Sequence, residues 1–168
     1  MSVRDTLRNM VPTALLEWNR KRKKQQQRKK LEEKRAAGAV WTKDKLIVSL
    51  KAAGVDPNKD LLVHSAMSKI GYVEGGPATV VAALQEVLAP SSTLLMPTSP
   101  VVTLQAKHDL SLFEVANTPS KMGAITEYFR ANVATHRSAH PLEPVAAVGP
   151  KAKEYTALHH TDPTSYGK

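Results

Sequence analysis

The sequence predicts an α/β fold, a sheet with helices on both faces, preceded by a basic helical arm. Three observations carry this. Two short apolar runs, Leu61-Leu62-Val63 and Thr93-Leu94-Leu95-Met96, flank a segment of helical period, the pattern of a βαβ unit. The excess positive charge sits at one end of the chain: residues 1–35 hold 12 Lys+Arg against 4 Asp+Glu, a net +8, while the rest hold 12 against 11. A length of 168 residues suits one domain plus an arm. A chain of that size can bury about two-thirds of its unfolded surface. The expected division is an arm over residues 1–38 and an α/β domain over 39–168.

Each element follows from local chemistry. Pro12 suits a first helical position, residues 13–37 contain no Pro or Gly, and Gly38 is a plausible stop. No apolar side chain occurs between Trp18 and Leu31, so a coiled coil is excluded. Thr42 can cap a helix running to Ala53, with Leu46, Ile47, Leu50 and Ala53 as its buried stripe and Gly54 beyond it. Asp56-Pro57-Asn58-Lys59-Asp60 is turn chemistry before the first strand. A loop over residues 64–76 leads into a helix opened by Pro77, with Val80, Val81, Leu84, Val87 and Leu88 on one face. The second strand follows, stopped by Pro97. A long Thr/Ser/Pro-rich segment spans residues 98–120. A helix marked by Met122, Ile125, Tyr128 and Phe129 begins near Pro119-Ser120, and Val145-Ala146-Ala147-Val148 is a third buried strand.

Composition narrows the chemistry. With no cysteine, a disulfide framework, Cys-ligated zinc, an iron–sulfur cluster and a thiol nucleophile are excluded. No secretory h-region follows Met1, and no run reaches the roughly 18 apolar residues of a membrane span. The expected compartment is therefore cytoplasmic. The arm leaves three readings open: a solvated extension, an anionic membrane surface, or nucleic acid. Met10, Val11, Leu15, Leu16 and Trp18 beside the basic run suit peripheral binding at an inner membrane surface through residues 10–35. No aromatics interleave the basic residues, which disfavours base stacking.

The strongest local signal is the stretch from Val63 to Pro77. His64, Ser65 and Ser68 lie at the carboxyl end of a strand, where open α/β sheets bind ligands. Gly75-Gly76 at a helix start leaves backbone N–H groups open to an anion. The alternative is a tight turn and nothing more, and neither dinucleotide nor Walker fingerprints are present. Six histidines are available, His64, His108, His136, His140, His159 and His160. His140, between Arg137 and Glu143, is the weak candidate for a base. Adjacent His159 and His160 lack a third ligand at sensible spacing, so no metal site is expected.

Several separated motifs stand together in order: Leu62-Val63-His64-Ser65, Ser68-Lys69-Ile70-Gly71, Val73-Glu74-Gly75-Gly76, Thr93 to Thr98, Thr118-Pro119-Ser120-Lys121-Met122-Gly123 with Glu127-Tyr128-Phe129-Arg130, and Arg137-Ser138-Ala139-His140-Pro141 with Ala146 to Pro150. Over about residues 42–168 the chain resembles the aminoglycoside 3-N-acetyltransferase family, specifically its amino-terminal portion. That resemblance implies an N-acetyltransferase using acetyl-CoA as acyl donor, without metal, on an amino group of an aminoglycoside or related amino sugar. It also implies that His64, Ser65, Ser68, Val73, Glu74, Gly75 and Gly76 cradle the pyrophosphate and pantetheine, with Thr98 near the thioester. The chain departs from the family's pattern at Ala66, where a second Ser is usual, and at Pro144, where Ser is frequent. The family's general-base histidine lies in a later part of the polypeptide, so a fragment or shortened form with an incomplete sheet is expected. The competing expectation is a catalytically inactive CoA- or anion-binding module tethered by its arm.

Overall fold

The computed structural model describes residues 13–36, 38, 40–100 and 110–161. Met10, Val11 and Pro12 of the arm, Ala37, His108 and residues 162–168 lie outside them. The chain divides into two compact units, Met1–Val40 and Trp41–Lys168.

In the first unit a single long helix, α1 (Thr13–Ala36), matches the uninterrupted helical stretch in the sequence. It has no acidic residue in its first turn and ends on Lys34 and Arg35, whose charge suits the carbonyl end of the helix dipole. Gly38 follows with φ +74°, a left-handed turn that glycine adopts without strain. Leu15 and Trp18 are about half exposed, and Arg22 lies 5.4 Å over the Trp18 ring. A short strand, β1 (Val40–Trp41), spans the division.

In the second unit, α2 (Lys43–Ala52) starts as expected: the Lys45 amide donates to Thr42 Oγ1 at 3.4 Å. The strand β2 (Leu61–Leu62) follows, then α3 (Met67–Ile70), β3 (Tyr72–Val73), α4 (Pro77–Val87) and β4 (Leu94–Pro97). Beyond a 3-10 turn at Leu110–Leu112 come α5 (Ala124–Asn132), β5 (His136–Arg137), β6 (Val145–Val148), α6 (Ala152–Ala157) and a 3-10 turn at His159–Thr161. The main sheet has the order β2-β4-β6-β5. Strands β2 and β4 pair in parallel, Leu61 with Leu94 and Leu62 with Leu95, which completes the βαβ unit. Strand β6 runs antiparallel to both β4 and β5.

Alternation along the strands sorts the two faces. Leu94, Met96 and Ala146 face a core built with Val80, Val81, Leu84, Ile125 and Phe129. Phe129 and Met96 have no exposed surface. The opposite face carries Leu62, Leu95, Val145 and Ala147 by the same alternation, and α6 packs against its β5–β6 side.

Several boundaries differ from expectation, each for a physical reason. The 64–76 loop contains α3 and β3; the β3 edge is fixed by the Glu74 amide donating to Trp41 O at 3.0 Å. Pro97 ends β4 as expected, and it does so as the strand's last paired residue, opposite Val145. The Thr98 amide donates to Pro144 O on the β6 side, so the pleat turns the Pro97 nitrogen toward the β2 side, where pairing has ended. Helix α5 begins at Ala124, not at 119–120. The preceding residues form its approach, with the Ser120 amide donating to Glu127 Oε2 at 2.7 Å and Gly123 at φ +135°. Ala53 is exposed at the end of α2 instead of buried. Neither β5 nor α6 was legible in the sequence.

Candidate functional site

A groove of about 460 Å³ opens at the carboxyl end of β2. Its floor is apolar, from Trp41, Leu46, Leu50, Ile70, Val80 and Leu84, and His64, Ser65 and Lys69 edge it. Ser65 Oγ is buried and has no hydrogen-bond partner. A buried hydroxyl left unmatched costs about 1–3 kcal/mol, so such an atom calls for an explanation, and a ligand polar group is one. Ser68, on α3, is exposed.

At the start of α4 the glycine pair adopts the left-handed region, Gly75 at φ +73° and Gly76 at φ +65°. A Cβ at Gly75 would collide with Thr79 Oγ1, so the close turn requires glycine there. The helix opens on Pro77 with no side-chain cap, which leaves its amino end open for an anion. The Glu74 amide is already committed to Trp41 O. Val73 is 4% exposed and belongs to the core.

Thr98, at the end of β4, is fully buried and fully engaged. Its Oγ1 donates to Pro144 O at 2.9 Å and accepts from Arg137 Nε at 3.0 Å. Thus the structure gathers His64 and Ser65 at the groove, places Gly75 and Gly76 at the open end of α4, and sets Val73 and Thr98 into the framework.

The corner around Thr98 is organised by Arg137, which sequence reasoning did not single out. Its guanidinium donates to Thr98 O at 2.9 Å, Val115 O at 2.9 Å and Thr118 O at 2.6 Å, and lies 5.0 Å over the Phe113 ring. Burial, with the Arg130 charge nearby, lowers its pKa to about 10, so it stays charged at neutral pH. Glu127 and Arg130 form a bidentate pair at 2.8 Å on both arms; the Arg130 hydrogen bond holds the Glu127 carboxyl below its usual range. The signal in the sequence was only the Arg-Ser-x-His-Pro string, because the acceptors are backbone carbonyls 19 to 39 residues away.

His140 is held as an acceptor. The Glu143 amide donates to its Nδ1 at 2.9 Å, so the neutral ring carries its proton on Nε2. Burial, followed by the neighbouring His159, pushes its pKa down. The two rings stack with centroids 5.0 Å apart. His159 Nδ1 lies 2.8 Å from Ser138 Oγ, which also accepts from the Val145 amide. Among the described residues no three His, Asp or Glu side chains converge to hold a metal ion.

The strand–loop–helix thus carries an unmatched serine hydroxyl and an uncapped glycine turn in an α/β sheet, and comparison with known proteins identifies the family. The profile of the aminoglycoside 3-N-acetyltransferase family matches residues 62–168. The chain belongs to that family. Aminoglycoside N(3)-acetyltransferase IV of Salmonella sp is 34% identical over 116 residues, covering 68% of this chain and 42% of that relative. The SPbeta prophage-derived aminoglycoside N(3')-acetyltransferase-like protein YokD of Bacillus subtilis is 31% identical over 118 residues, covering 60% of this chain and 43% of that relative. Among solved structures, aminoglycoside acetyltransferase AAC(3)-IVa superposes with a TM-score of 0.62 at 34% identity over 73% of this chain and 45% of its own. The AAC-IIIb binary complex with CoASH superposes with a TM-score of 0.61 at 26% identity over 73% and 51%. The chain therefore spans about half the length of the relatives it matches.

Proposed function

We propose that this chain supplies the acyl-donor half of an acetyl-CoA-dependent N-acetyltransferase acting on an amino group of an aminoglycoside or related amino sugar. The observation that carries this is the buried, partnerless Ser65 hydroxyl at the rim of an apolar groove. Ser65, His64 and Ser68 face the pantetheine and pyrophosphate, and the open turn at Gly75-Gly76 receives a phosphate. Glu74 contributes through the strand register it fixes, while Val73 and Thr98 shape the cradle from behind. When bound, the thioester supplies an activated acyl group; the protein's task is to hold it and keep water away. Support for the donor comes from the CoASH-bound relative, and for the acceptor class from AAC-VIa bound to sisomicin, 28% identical with a TM-score of 0.63.

Acyl transfer to an amine also needs a base with a pKa near the working pH. His140, with its Nδ1 occupied by a backbone N–H, serves as a loop-holding residue rather than that base. The test is calorimetry with CoA and acetyl-CoA, then thiol release with kanamycin and gentamicin. CoA binding by the 168-residue chain without turnover, with turnover in a longer form that survives His140→Ala, supports this reading. Turnover by the 168-residue chain that is lost in His140→Ala restores His140 as the base. CoA binding with no turnover in the longer form either favours the second reading, a CoA-binding module.

For the arm we propose docking on an anionic lipid surface. Lys21, Arg22, Lys23, Arg28, Lys29, Lys30, Lys34 and Arg35 are exposed, beside exposed Leu15 and Trp18. No helix among the described residues is long and apolar enough to cross a membrane. Each cation contributes about 1 kcal/mol at such a surface. Co-sedimentation with phosphatidylglycerol vesicles, lost on deleting residues 1–38 and weakened by salt, supports it. Equal binding to phosphatidylcholine, or preference for single-stranded RNA over vesicles, overturns it.

A further inference from the structure

The groove at the carboxyl end of β2 is more apolar than an acetyl donor requires. Two rows of side chains line it, Leu46 and Leu50 on α2 and Val80 and Leu84 on α4, the members of each row one helical turn apart. The two helices pack on one another, and Leu46, Val80 and Leu84 are buried there. Trp41, Leu50, Val63 and Ile70 line the groove half-buried, so apolar surface remains within reach of an occupant. Ser49, His64, Ser65 and Lys69 are the polar side chains of the lining.

That lining suits hydrocarbon. Pantetheine carries two amides that must keep hydrogen-bond partners, and the CoA phosphates carry charge; neither gains from contact with Trp, Leu, Val and Ile. A methylene chain does gain. Size points the same way. A dry apolar cavity of about 150 Å³ is enough for benzene, and this groove measures about 460 Å³. An acetyl group brings a single methyl and leaves most of the apolar lining in contact with water.

We propose that this groove seats the tail of a straight-chain acyl group longer than acetyl, so that the donors this chain takes extend to medium-chain acyl-CoA. The inference rests on the reading that an acyl-CoA donor lies at Ser65. In it, Ser65 and His64 at the edge meet the thioester and the pantetheine, exposed Lys69 meets the charged part of the donor, and the acyl tail lies against Trp41, Leu50 and Ile70. Each methylene that enters the groove tightens binding by up to about fourfold. Leu50 and Ile70 are then the side chains whose size and polarity set how much chain is admitted.

The test is calorimetry on the 168-residue protein with CoA, acetyl-CoA, butyryl-CoA and octanoyl-CoA, all below micelle-forming concentrations. Affinity should rise with chain length, octanoyl-CoA binding at least about tenfold tighter than acetyl-CoA. The sequence has two tryptophans, so in a Trp18→Phe background Trp41 is the sole reporter. Its emission should move to shorter wavelength with octanoyl-CoA and not with CoA. Leu50→Glu, which sets a carboxylate in the groove, and Ile70→Trp, which fills it, should each erase the preference for octanoyl-CoA over acetyl-CoA; either suffices should the other unfold. Val48→Asp, at a 66% exposed site on α2 outside the lining, keeps the preference. Acetyl-CoA bound, with octanoyl-CoA no tighter, overturns this inference and leaves the acetyl-CoA reading standing. A preference that survives both groove variants, or Trp41 emission indifferent to octanoyl-CoA, puts the tail elsewhere and also overturns it. Failure of CoA and every thioester to bind overturns the donor reading, and this inference with it.

Discussion

Two polar regions of the α/β unit make opposite use of their hydrogen-bonding groups. At the Thr98–Arg137 corner every group is spoken for: Thr98, Ser99, Ser138 and Arg137 all reach backbone partners or one another. At the β2–α4 loop a buried hydroxyl is orphaned and a helix starts without a cap. Polar groups matched internally hold a fold together, whereas a buried group left unmatched calls for an explanation. The ligand-site reading proposed above rests on that difference between the two regions.

The comparison breaks if the corner tolerates loss of its centre. Arg137→Ala strips three carbonyls, Thr98 O, Val115 O and Thr118 O, of a charged donor. Its expected cost is about 3 kcal/mol or more, since hydrogen bonds to charged groups contribute about 1.5–3 each. For a domain of this size that is a melting temperature lower by about 10 °C. A calorimetric shift under 2 °C would mean that water replaces the guanidinium and the corner is not framework. Next in size is Gly149→Ala. Gly149 has φ +130°, and a Cβ there would sit 2.7 Å from Ser92 O and Thr93 Cα, both backbone. The expected cost is about 2 kcal/mol, by strain in the left-handed region and displacement of β4's start. Urea titration with an unchanged slope checks it.

The same contrast explains what was legible beforehand. Helix α4 could be read because its burial is a local pattern: Val80, Val81, Leu84 and Val87 repeat at helical spacing and all are buried. Strand β6 could be read because Val145 to Val148 is a bounded apolar run. Strand β5 could not, since His136 and Arg137 carry no strand pattern and extend only by pairing with Ala147 and Ala146. Arg137's role was hidden for the same reason: backbone carbonyls have no residue code. Of the candidate site, the glycine turn was visible from its chemistry, but the unmatched burial of the Ser65 hydroxyl is a property of packing and exists only in three dimensions. Thr98 carried a site assignment from its motif, and in three dimensions it is completely buried.

At the loop, Ser65→Ala sharpens the comparison through a sign. Removing an unmatched buried hydroxyl leaves the ligand-free protein as stable or more stable by up to about 1 kcal/mol. The stabilisation by saturating CoA should shrink, because a bound ligand raises stability in proportion to the logarithm of its excess over Kd. Gly75→Asp, which adds bulk against Thr79 and a negative charge, abolishes it. Were Ser65→Ala destabilising by 1 kcal/mol with the CoA shift intact, the hydroxyl would be structural and the division between the two regions wrong.

The smallest expected effect lies at His140, which has features of both regions. Its Nδ1 is matched by the Glu143 amide, and its ring stacks on His159. Burial, then the His159 charge, lowers its pKa from the ordinary 6.5; Glu143 acts in the opposite direction and His160 adds to the lowering. The folded protein therefore binds this proton less readily than the unfolded chain. Below pH 6.5 the unfolded state carries more protons, so the contribution to stability, fully present above that pH, is lost as pH falls toward and through the folded value. Protonation would also displace the Glu143 amide from Nδ1, since an imidazolium donates at both nitrogens. His140→Gln keeps an acceptor and removes the titration. Between pH 7.5 and 5.5 the wild-type melting temperature should fall more steeply than that of His140→Gln, the two converging at acid pH. Parallel curves would show that the ring is solvated and unconstrained, and would return His140 to the residues free to move a proton.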